Sequence, residues 1–278
     1  MRVSIIIILS IALLTLTLGK GTSSVSSIDA IDNPCKNTNT SFISGEKLIY
    51  KLYYNWKFVW IPAGEITFEV QSIGDKYQMT GIGKSYSSYD NFFRVRDYYE
   101  VIVDTMSLSP ISFVRHIEEG NYRKFDSLYF DQSSNLVHSF NGKNKATAKT
   151  ESYEIDPCMM DLISVFYKLR NTDTENYKPG SFLDFNMFLD REIYPIHVVY
   201  EKNENKKIKD LGTYNCLKIR PELIVGNIFK EGDVMNVWVS NDKNKIPLMI
   251  ESPISVGSVK GVLKNYSGLR HPFLNAKK

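Results

Sequence analysis

The sequence has 278 residues, of which 43% are hydrophobic, 13% aromatic and 23% charged, with a net charge of +3. This composition excludes an intrinsically disordered chain, and a mean hydropathy of -0.23 with one apolar stretch excludes a polytopic membrane protein. The sequence has no dense basic block, so a dedicated nucleic-acid-binding protein is disfavoured.

The first 21 residues have the pattern of a secretory signal peptide. Arg2 precedes an apolar core of about 14 residues, which ends at Gly19-Lys20-Gly21. The alternative is an uncleaved anchor, but the stretch is short for a hydrocarbon layer about 30 Å thick. Cleavage removes Arg2 and Lys20 and leaves a net charge of about +1, which gives the whole chain little attraction for nucleic acid or anionic lipid. We expect a periplasmic or otherwise exported protein with no stable membrane span after cleavage.

After the signal peptide, the sequence divides into three parts. Residues 22–41 are rich in Ser, Thr and Asn without periodicity, which predicts a flexible tether. Strand patterns and frequent turns predict a single domain over residues 42–272. Residues 273–278 are predicted to be a C-terminal tail.

Three cysteines allow at most one intramolecular disulfide in an exported chain. Cys216 lies in an alternating apolar run and is predicted to be buried in a strand. Cys35 and Cys158 each follow a proline beside an irregular segment, so we expect these two to pair and to attach the tether to the body. No C-x-x-C motif occurs, which disfavours a thioredoxin-type site or a zinc ribbon.

The first half of the domain predicts strand after strand. A long strand is predicted from Phe93 to Val103, and Asp97 interrupts its apolar face. Gly74-Asp75 predicts a turn between two strands. The other predicted strands cover residues 47–54, 63–70, 76–81, 111–118, 122–130 and 135–140.

One helix is predicted at about 157–170, because Asp156 can cap it, Pro157 suits its first turn and apolar residues follow at helical spacing. Residues 202–209 have the mixed charge of a hairpin tip, Asn241–Asn244 predicts a hairpin turn, and Pro247 suits an edge or a bulge. Strands are predicted at 181–189, 194–201, 213–223, 233–239, 245–251 and 254–265.

Together these elements predict a mainly β protein. Strands do not alternate with helices, which disfavours a parallel α/β fold. The expected architecture is a large, curved antiparallel sheet or a partly closed β-barrel, with the helix on its concave side or at one end.

Most catalytic signatures are absent from the sequence, which has no G-x-S-x-G, no H-E-x-x-H and no P-loop. The histidines are far apart and without partners at ligand spacing: His116, His138, His197 and His271. We therefore predict no metal ligands, no cofactor and no catalytic residues, and regard an enzyme as the less favoured class.

Carboxylates cluster at Asp184, Asp190 and Glu192. One interpretation is a pair of acids as in glycosidases. The other, which we favour, is a set of exposed acids at strand ends and turns.

The segment from Tyr53 to Pro62 is unusually aromatic for a hairpin loop. It contributes the candidate ligand-binding residues Tyr54, Trp56, Phe58 and Trp60, because Trp and Tyr offer large buried areas with a polar group. The alternative is a loop that folds back over one end of the sheet as part of the core.

Several segments together resemble the DUF3108 family, exported bacterial proteins of uncharacterised function. The resemblance covers about residues 42–272 and is carried by seven short motifs in order: Gly45–Tyr50, Trp60–Glu65, Asp156–Cys158 with Asp161–Ser164, Gly212–Pro221, Val237–Asp242, Ile246–Leu248 and Val256–Lys260. The sequence is most similar to versions from Bacteroidetes-type Gram-negative bacteria, which implies the periplasm. The family has no established catalytic residues to transfer.

Three functions follow as hypotheses. The first is a non-enzymatic binding or chaperone-like protein that holds an apolar ligand such as lipid, or a partner's segment, in a concave sheet. The second is a structural or assembly component of the cell envelope that binds an envelope protein through a surface or an edge strand. The third is a hydrolase of envelope polysaccharide that uses carboxylates such as Asp184 and Asp190.

Overall fold

The computed structural model describes residues 38–56, 59–222, 234–254 and 257–273. The predicted signal peptide, Cys35 and the residues after Phe273 lie outside these ranges. Within them, fourteen strands form one antiparallel sheet that does not close, which confirms the predicted mainly β class. The strands are β1 Lys47–Trp56, β2 Val59–Ile73, β3 Lys76–Ser85, β4 Arg96–Asp104, β5 Pro110–Glu119, β6 Tyr122–Asp131, β7 Leu136–Gly142, β8 Lys149–Glu154, β9 Phe182–Leu189, β10 Glu192–Ile208, β11 Gly212–Pro221, β12 Asn236–Ser240, β13 Pro247–Pro253 and β14 Ser258–Ser267.

The strand order is a simple meander with one non-sequential pairing. Strands β1 to β8 and β9 to β14 each pair in sequence, and β1 pairs with β14 in the middle of the sheet. The two edges are therefore β8 and β9, which flank the helical segment along the chain. The side chains of Tyr153 in β8 and Phe188 in β9 meet across the seam between these edges, with ring centroids 5.4 Å apart.

Because all neighbouring strands are antiparallel, successive connections alternate between two ends of the sheet. The connections β3–β4, β5–β6, β7–β8 and β9–β10 lie at one end, which we name the distal end. The connections β2–β3, β4–β5, β6–β7 and β12–β13 lie at the other, which we name the helix end. The start of β2 is at the distal end, and the start of β1 is at the helix end.

Two helices occur in the described residues, α1 (Asp90–Phe93) and α2 (Leu162–Leu169). Helix α2 packs on the concave side, as predicted, with the Phe166 ring stacked 4.8 Å from that of Phe68. Gly81 of β3 makes room for it, because a Cβ there would lie 3.4 Å from Ile163 Cδ1. The helix thus fills the space that the curved sheet encloses.

The predicted start of this helix was wrong. Asp161, not Asp156, is the N-cap, and its carboxylate accepts hydrogen bonds from the backbone N–H groups of Ile163 (2.8 Å) and Ser164 (3.1 Å). Before the cap, Met160 forms a parallel bridge with Met187 of β9. Pro157 and Cys158 form a turn, and Met160 then bonds to the edge of β9 through its N–H and its carbonyl, which a helix starting at residue 157 would not allow.

The strand predictions were correct in most of the chain and wrong at three places. Phe93 belongs to α1, so β4 begins only at Arg96. Strand β8 was not predicted, since nearly all of its side chains are exposed and polar. Strand β10 continues through residues 202–208, which were predicted to be a hairpin tip.

The long β10–β11 hairpin explains why several outward-facing side chains are buried. In register, Trp238 pairs with Met249, and Met249 with Val262, on the convex face of the sheet. All three are at most 5% exposed. The Lys206 ammonium lies 3.7 Å from the Trp238 ring, so the hairpin folds over this face. Cys216 on the same hairpin is fully buried, as predicted.

The last residues of the predicted tether belong to the fold. Asn39 and Ser41 are buried at the helix end. The Asn171 side chain accepts hydrogen bonds from the N–H groups of Thr40 (2.6 Å) and Ser41 (3.0 Å). The chain is thus attached to the end of α2 before β1 begins.

Candidate functional site

A cluster of charged side chains lies inside the distal half of the sheet. Arg115 of β5 and Asp126 of β6 are cross-strand partners, both almost fully buried, and the guanidinium Nη2 is 3.2 Å from the carboxylate. Asp190, in the β9–β10 turn, forms ion pairs with Arg115 and with Lys124 of β6. The cluster therefore ties strands β5 and β6 to the turn that follows the edge strand β9.

This cluster is the least satisfied polar region of the described interior. Arg115 Nε, both carboxylate oxygens of Asp126, Ser139 Oγ and Asn141 Nδ2 are buried and make no hydrogen bond to another described residue. Such groups are rare in proteins because each costs its desolvation free energy. Burial and the nearby guanidinium lower the pKa of Lys124 to about 7.

A second group of acids faces the same interior. Asp97 of β4 and Glu119 of β5 are 2% and 6% exposed, and a side-chain hydrogen bond joins them. Burial and the neighbouring Glu119 raise the pKa of Asp97 to about 8. One carboxyl group of the pair is therefore protonated at neutral pH. Asp97 is the same residue that interrupts the apolar face of the predicted strand in the sequence.

The helix end contains a contrasting ion pair. The Arg170 guanidinium binds both carboxylate oxygens of Glu46, at 2.5 and 2.8 Å, and its Nε donates to the carbonyl of Asn244 at 3.1 Å. Both side chains are essentially inaccessible to solvent. This pair joins the end of α2 to the start of β1 and to the β12–β13 turn.

Beside this pair lies an apolar cavity of about 40 Å³ on the concave side of β9 to β12. Its volume corresponds to about three water molecules. Its lining is aliphatic and aromatic, with a few polar groups: Leu169, Thr172, Thr174, Tyr177, Leu183, Val198, Tyr200, Leu217, Ile219, Val239 and Lys245. The sequence analysis did not single out this set, because its members come from α2, four strands and two loops.

The segment after α2 forms the roof of this cavity. Two backbone hydrogen bonds hold it to β10, from Gly180 N–H to the Tyr200 carbonyl (2.9 Å) and from Tyr200 N–H to the Ser181 carbonyl (2.8 Å). The rings of Tyr177 and Tyr200 meet at 6.1 Å. Lys245 also lines the cavity, donates to the carbonyl of Thr172 and has a pKa lowered by burial.

The aromatic candidates lie at the distal end, away from this cavity. The described part of the segment lies in two strands: β1 continues to Trp56 and β2 begins at Val59, and these two residues pair. Tyr54 and Trp60 are partly buried against the core, and the Lys260 ammonium is 4.1 Å from the Trp60 ring. Phe58 and the side chain of Trp56 lie outside the described residues, and a ligand site at this hairpin stays a prediction.

The candidate acids are not brought together by the fold. Asp184 is exposed on β9, where its carboxylate is 2.5 Å from His197 Nδ1. Asp190 is buried in the charged cluster, and Glu192 accepts a hydrogen bond from the Tyr194 hydroxyl at 2.9 Å. Over the described ranges, no three His, Cys, Asp or Glu side chains converge in a way that would hold a metal ion.

The comparison with protein families gives a clear result. A family described as a protein of unknown function, DUF3108, matches residues 49–264. The chain belongs to the DUF3108 family. The resemblance that the seven motifs carried is thereby confirmed, while a search of curated proteins finds no match.

Two solved structures align with most of this chain at low sequence identity. A β-barrel-like protein of the DUF1849 family from Brucella abortus aligns with a TM-score of 0.56 at 11% identity, over 82% of this chain and 98% of that one. This likeness supports the β-barrel-like fold of the DUF3108 chain. An exported protein with a YmcC-like fold from Bacteroides fragilis, described as putative, aligns at 9% identity with a TM-score of 0.31, over 83% and 99% of the two chains.

The described part of the chain contains no helix with the length and apolar character to cross a bilayer.

Proposed function

We propose that this DUF3108 protein is an exported, non-enzymatic binding protein that takes the apolar end of a ligand such as lipid, or of a partner's segment, into its concave face. The observation that carries the proposal is the apolar cavity between α2 and strands β9 to β12. Binding sites are typically concave and apolar with a few polar groups that orient the ligand.

The cavity has two properties that suit an aliphatic group. Its aliphatic side chains Leu183 and Ile219 are only partly buried, which leaves apolar surface for a ligand to cover. Lys245 is among the lining residues, and its ammonium group can bind the carboxylate or phosphate end of an amphiphile. At about 40 Å³, the cavity suits the tip of an aliphatic chain rather than a whole lipid.

Export is part of the same proposal and rests on the N-terminal sequence. The apolar segment that ends at Gly19-Lys20-Gly21 has the form of a cleaved signal peptide. Cys216 is a free, buried thiol, which leaves Cys35 and Cys158 as the cysteines for a disulfide. Intact-mass measurement of protein recovered from the periplasm tests cleavage and the bridge together, since the bridge removes two hydrogen atoms.

Filling the cavity tests the binding function. We expect Ile219→Trp to weaken binding of the fluorescent fatty acid cis-parinaric acid about tenfold, because the larger ring occupies the apolar space. Val114→Trp is the matched control, since Val114 is also partly buried but lies on the convex face of β5. Equal affinities in the wild type and both variants, with unchanged melting temperatures, would reject this cavity as the site.

A structural role in the envelope remains the second candidate, and one observation favours it. Strand β8 is an edge of the sheet, and its side chains from Lys149 to Ser152 are all exposed. Edge strands offer unpaired backbone groups to an extended partner segment. A photo-crosslinking residue at Thr150 should capture an envelope protein in intact cells, whereas the same residue at exposed Ser72 should not.

A further inference from the structure

Four large apolar side chains are exposed at the distal end among the described residues. Each lies on or beside a different strand connection. Phe92 of α1 is 89% exposed and Val59 at the start of β2 is 61% exposed, with Tyr122 at 45% and Ile193 at 39%. We call these four residues the distal rim. They sit on separate connections that the meander brings to the same end. Their side chains protrude from the protein and do not line a groove, so they suit insertion into a deformable surface.

The exposure of Phe92 is imposed by a rigid support. Its neighbour Phe93 packs so closely on Gly120 of the β5–β6 turn that a Cβ there would lie 3.0 Å from the Phe93 ring. The Gly120 N–H donates to the Arg94 carbonyl at 2.8 Å. The Asp90 carboxylate binds Arg96 and accepts from the Ser85 hydroxyl. The short helix is thus held from both sides while the Phe92 ring points away from the protein.

Cations outnumber acids on the described connections at this end. The acids Asp97, Glu119 and Asp190 are at most 7% exposed and face the interior. The exposed charged residues of these connections are the acids Glu192 and Glu222 and the cations Arg94, Arg123, Lys143, Lys145 and Arg191. Two of these cations have an acidic neighbour at the surface, Arg123 with Glu118 at 3.8 Å and Arg191 with Glu151 at 3.5 Å. Such exposed pairs are weak and exchange readily for another anion.

We infer that the distal end docks on a lipid bilayer with anionic headgroups, with the distal rim inserted among the lipids and the surrounding cations bound to phosphate. Apolar and aromatic side chains flanked by Lys and Arg are the usual composition of surfaces that enter the interfacial region. Anionic lipids attract such cations from solution even when the net charge of the protein is small. This surface is remote from the cavity at the helix end, so the inference does not depend on the proposed ligand.

Vesicle flotation with a matched pair of variants tests the inference. Phe92→Ser and Met106→Ser each remove an exposed apolar side chain, and Met106 is 83% exposed in the β4–β5 connection at the opposite end. In vesicles of phosphatidylcholine with about one third phosphatidylglycerol, we expect Phe92→Ser to weaken affinity about tenfold. Met106→Ser should bind like the wild type. Both variants carry the same N-terminus, so any contribution from that segment cancels.

A second set of variants tests whether the exposed cations contribute to vesicle binding. Lys143→Glu with Lys145→Glu should reduce binding to the anionic vesicles several-fold, and Lys178→Glu, a single exposed change at the helix end, should reduce it much less. Half-molar salt should weaken binding of the wild type. The inference is overturned if the wild type does not float with anionic vesicles, or if Phe92→Ser and Met106→Ser behave alike. Binding that depends on salt but not on Phe92 also overturns it, because it would be adsorption without insertion.

Discussion

The two ends of this sheet contain buried charges that are organised in opposite ways. At the helix end, every guanidinium nitrogen of Arg170 and both oxygens of Glu46 have a partner. At the distal end, Asp190 is shared by Arg115 and Lys124, while Asp126 makes no hydrogen bond to a described residue. The first arrangement therefore stabilises the junction of α2 and β1 with two charges. The second contains four charges, and its buried polar atoms without hydrogen bonds cost their desolvation free energy, so we expect it to add less stability per charge.

The largest expected effect is at the helix end. Arg170→Met leaves the carboxylate of Glu46 buried without a counter-ion, so the free energy of unfolding should fall by about 3–5 kcal/mol. Urea denaturation followed by circular dichroism measures it. The double variant with Glu46→Gln should recover part of the loss, because no unpaired charge remains. A loss under about 1 kcal/mol in Arg170→Met would contradict this interpretation of the pair.

The matching change at the distal end should cost less. Asp190→Asn keeps the shape and tolerates the left-handed backbone at this position, where φ is 52°. It removes the shared carboxylate but leaves Asp126 beside Arg115, so we expect a loss of about 1–3 kcal/mol by the same measurement. Asp184→Asn, on the exposed face of β9, is the control and should stay within about 0.5 kcal/mol of the wild type.

Substitution of the two candidate capping residues distinguishes the observed start of α2 from the predicted one. Asp161→Ala removes the acceptor for the N–H groups of Ile163 and Ser164 and should cost about 1–2 kcal/mol. Asp156→Ala should be nearly neutral, because this exposed residue does not cap the helix. If Asp156→Ala lowered the melting temperature more than Asp161→Ala did, the result would instead support a helix that begins at Pro157.

The effect expected at Asp97 depends on pH. The pKa of Asp97 is raised to about 8 in the folded protein, against about 3.9 in an unfolded chain. Between these values the unfolded state releases the proton first, so the wild type should lose stability as pH rises from about 4 to 8 and level off above. Asp97→Asn mimics the protonated acid, and its advantage over the wild type should grow to at least about 1 kcal/mol by pH 8. A constant difference between the two proteins at pH 5 and pH 8 would contradict the raised pKa.

The sequence predicted the elements well where local alternation is strong. Strands β5 and β6 were predicted within two residues of their observed bounds, because apolar side chains there alternate with polar ones. Strand β8 was not predicted because it lacks a buried face. The start of α2 was misplaced because residues 157–158 form a turn and Met160 pairs with β9. The turn at Asn241–Asn244 and the bulge opposite Pro247 followed correctly from local chemistry.

The candidate sites were less predictable than the strands. Asp97 could be noticed because it interrupts an apolar face, and Arg115 and Asp126 give the same signal in their own strands. The pairing of Arg115 with Asp126 could not be predicted from the sequence, since it depends on the register of β5 with β6. The cavity residues come from α2 and from four strands and two loops, and each looks like an ordinary core residue by itself.

The sequence by itself determined the family, the β class and the presence of one helix inside a curved sheet. These properties depend on hydrophobic period and turn chemistry, which act over a few residues. Only the tertiary structure decided that β1 meets β14, that the edges are β8 and β9, and that three acids of the distal end are buried while cations outnumber acids on its exposed connections. A net charge near zero cannot reveal such a distribution, because the electrostatic potential at a surface depends on the positions of the charges and not on their sum.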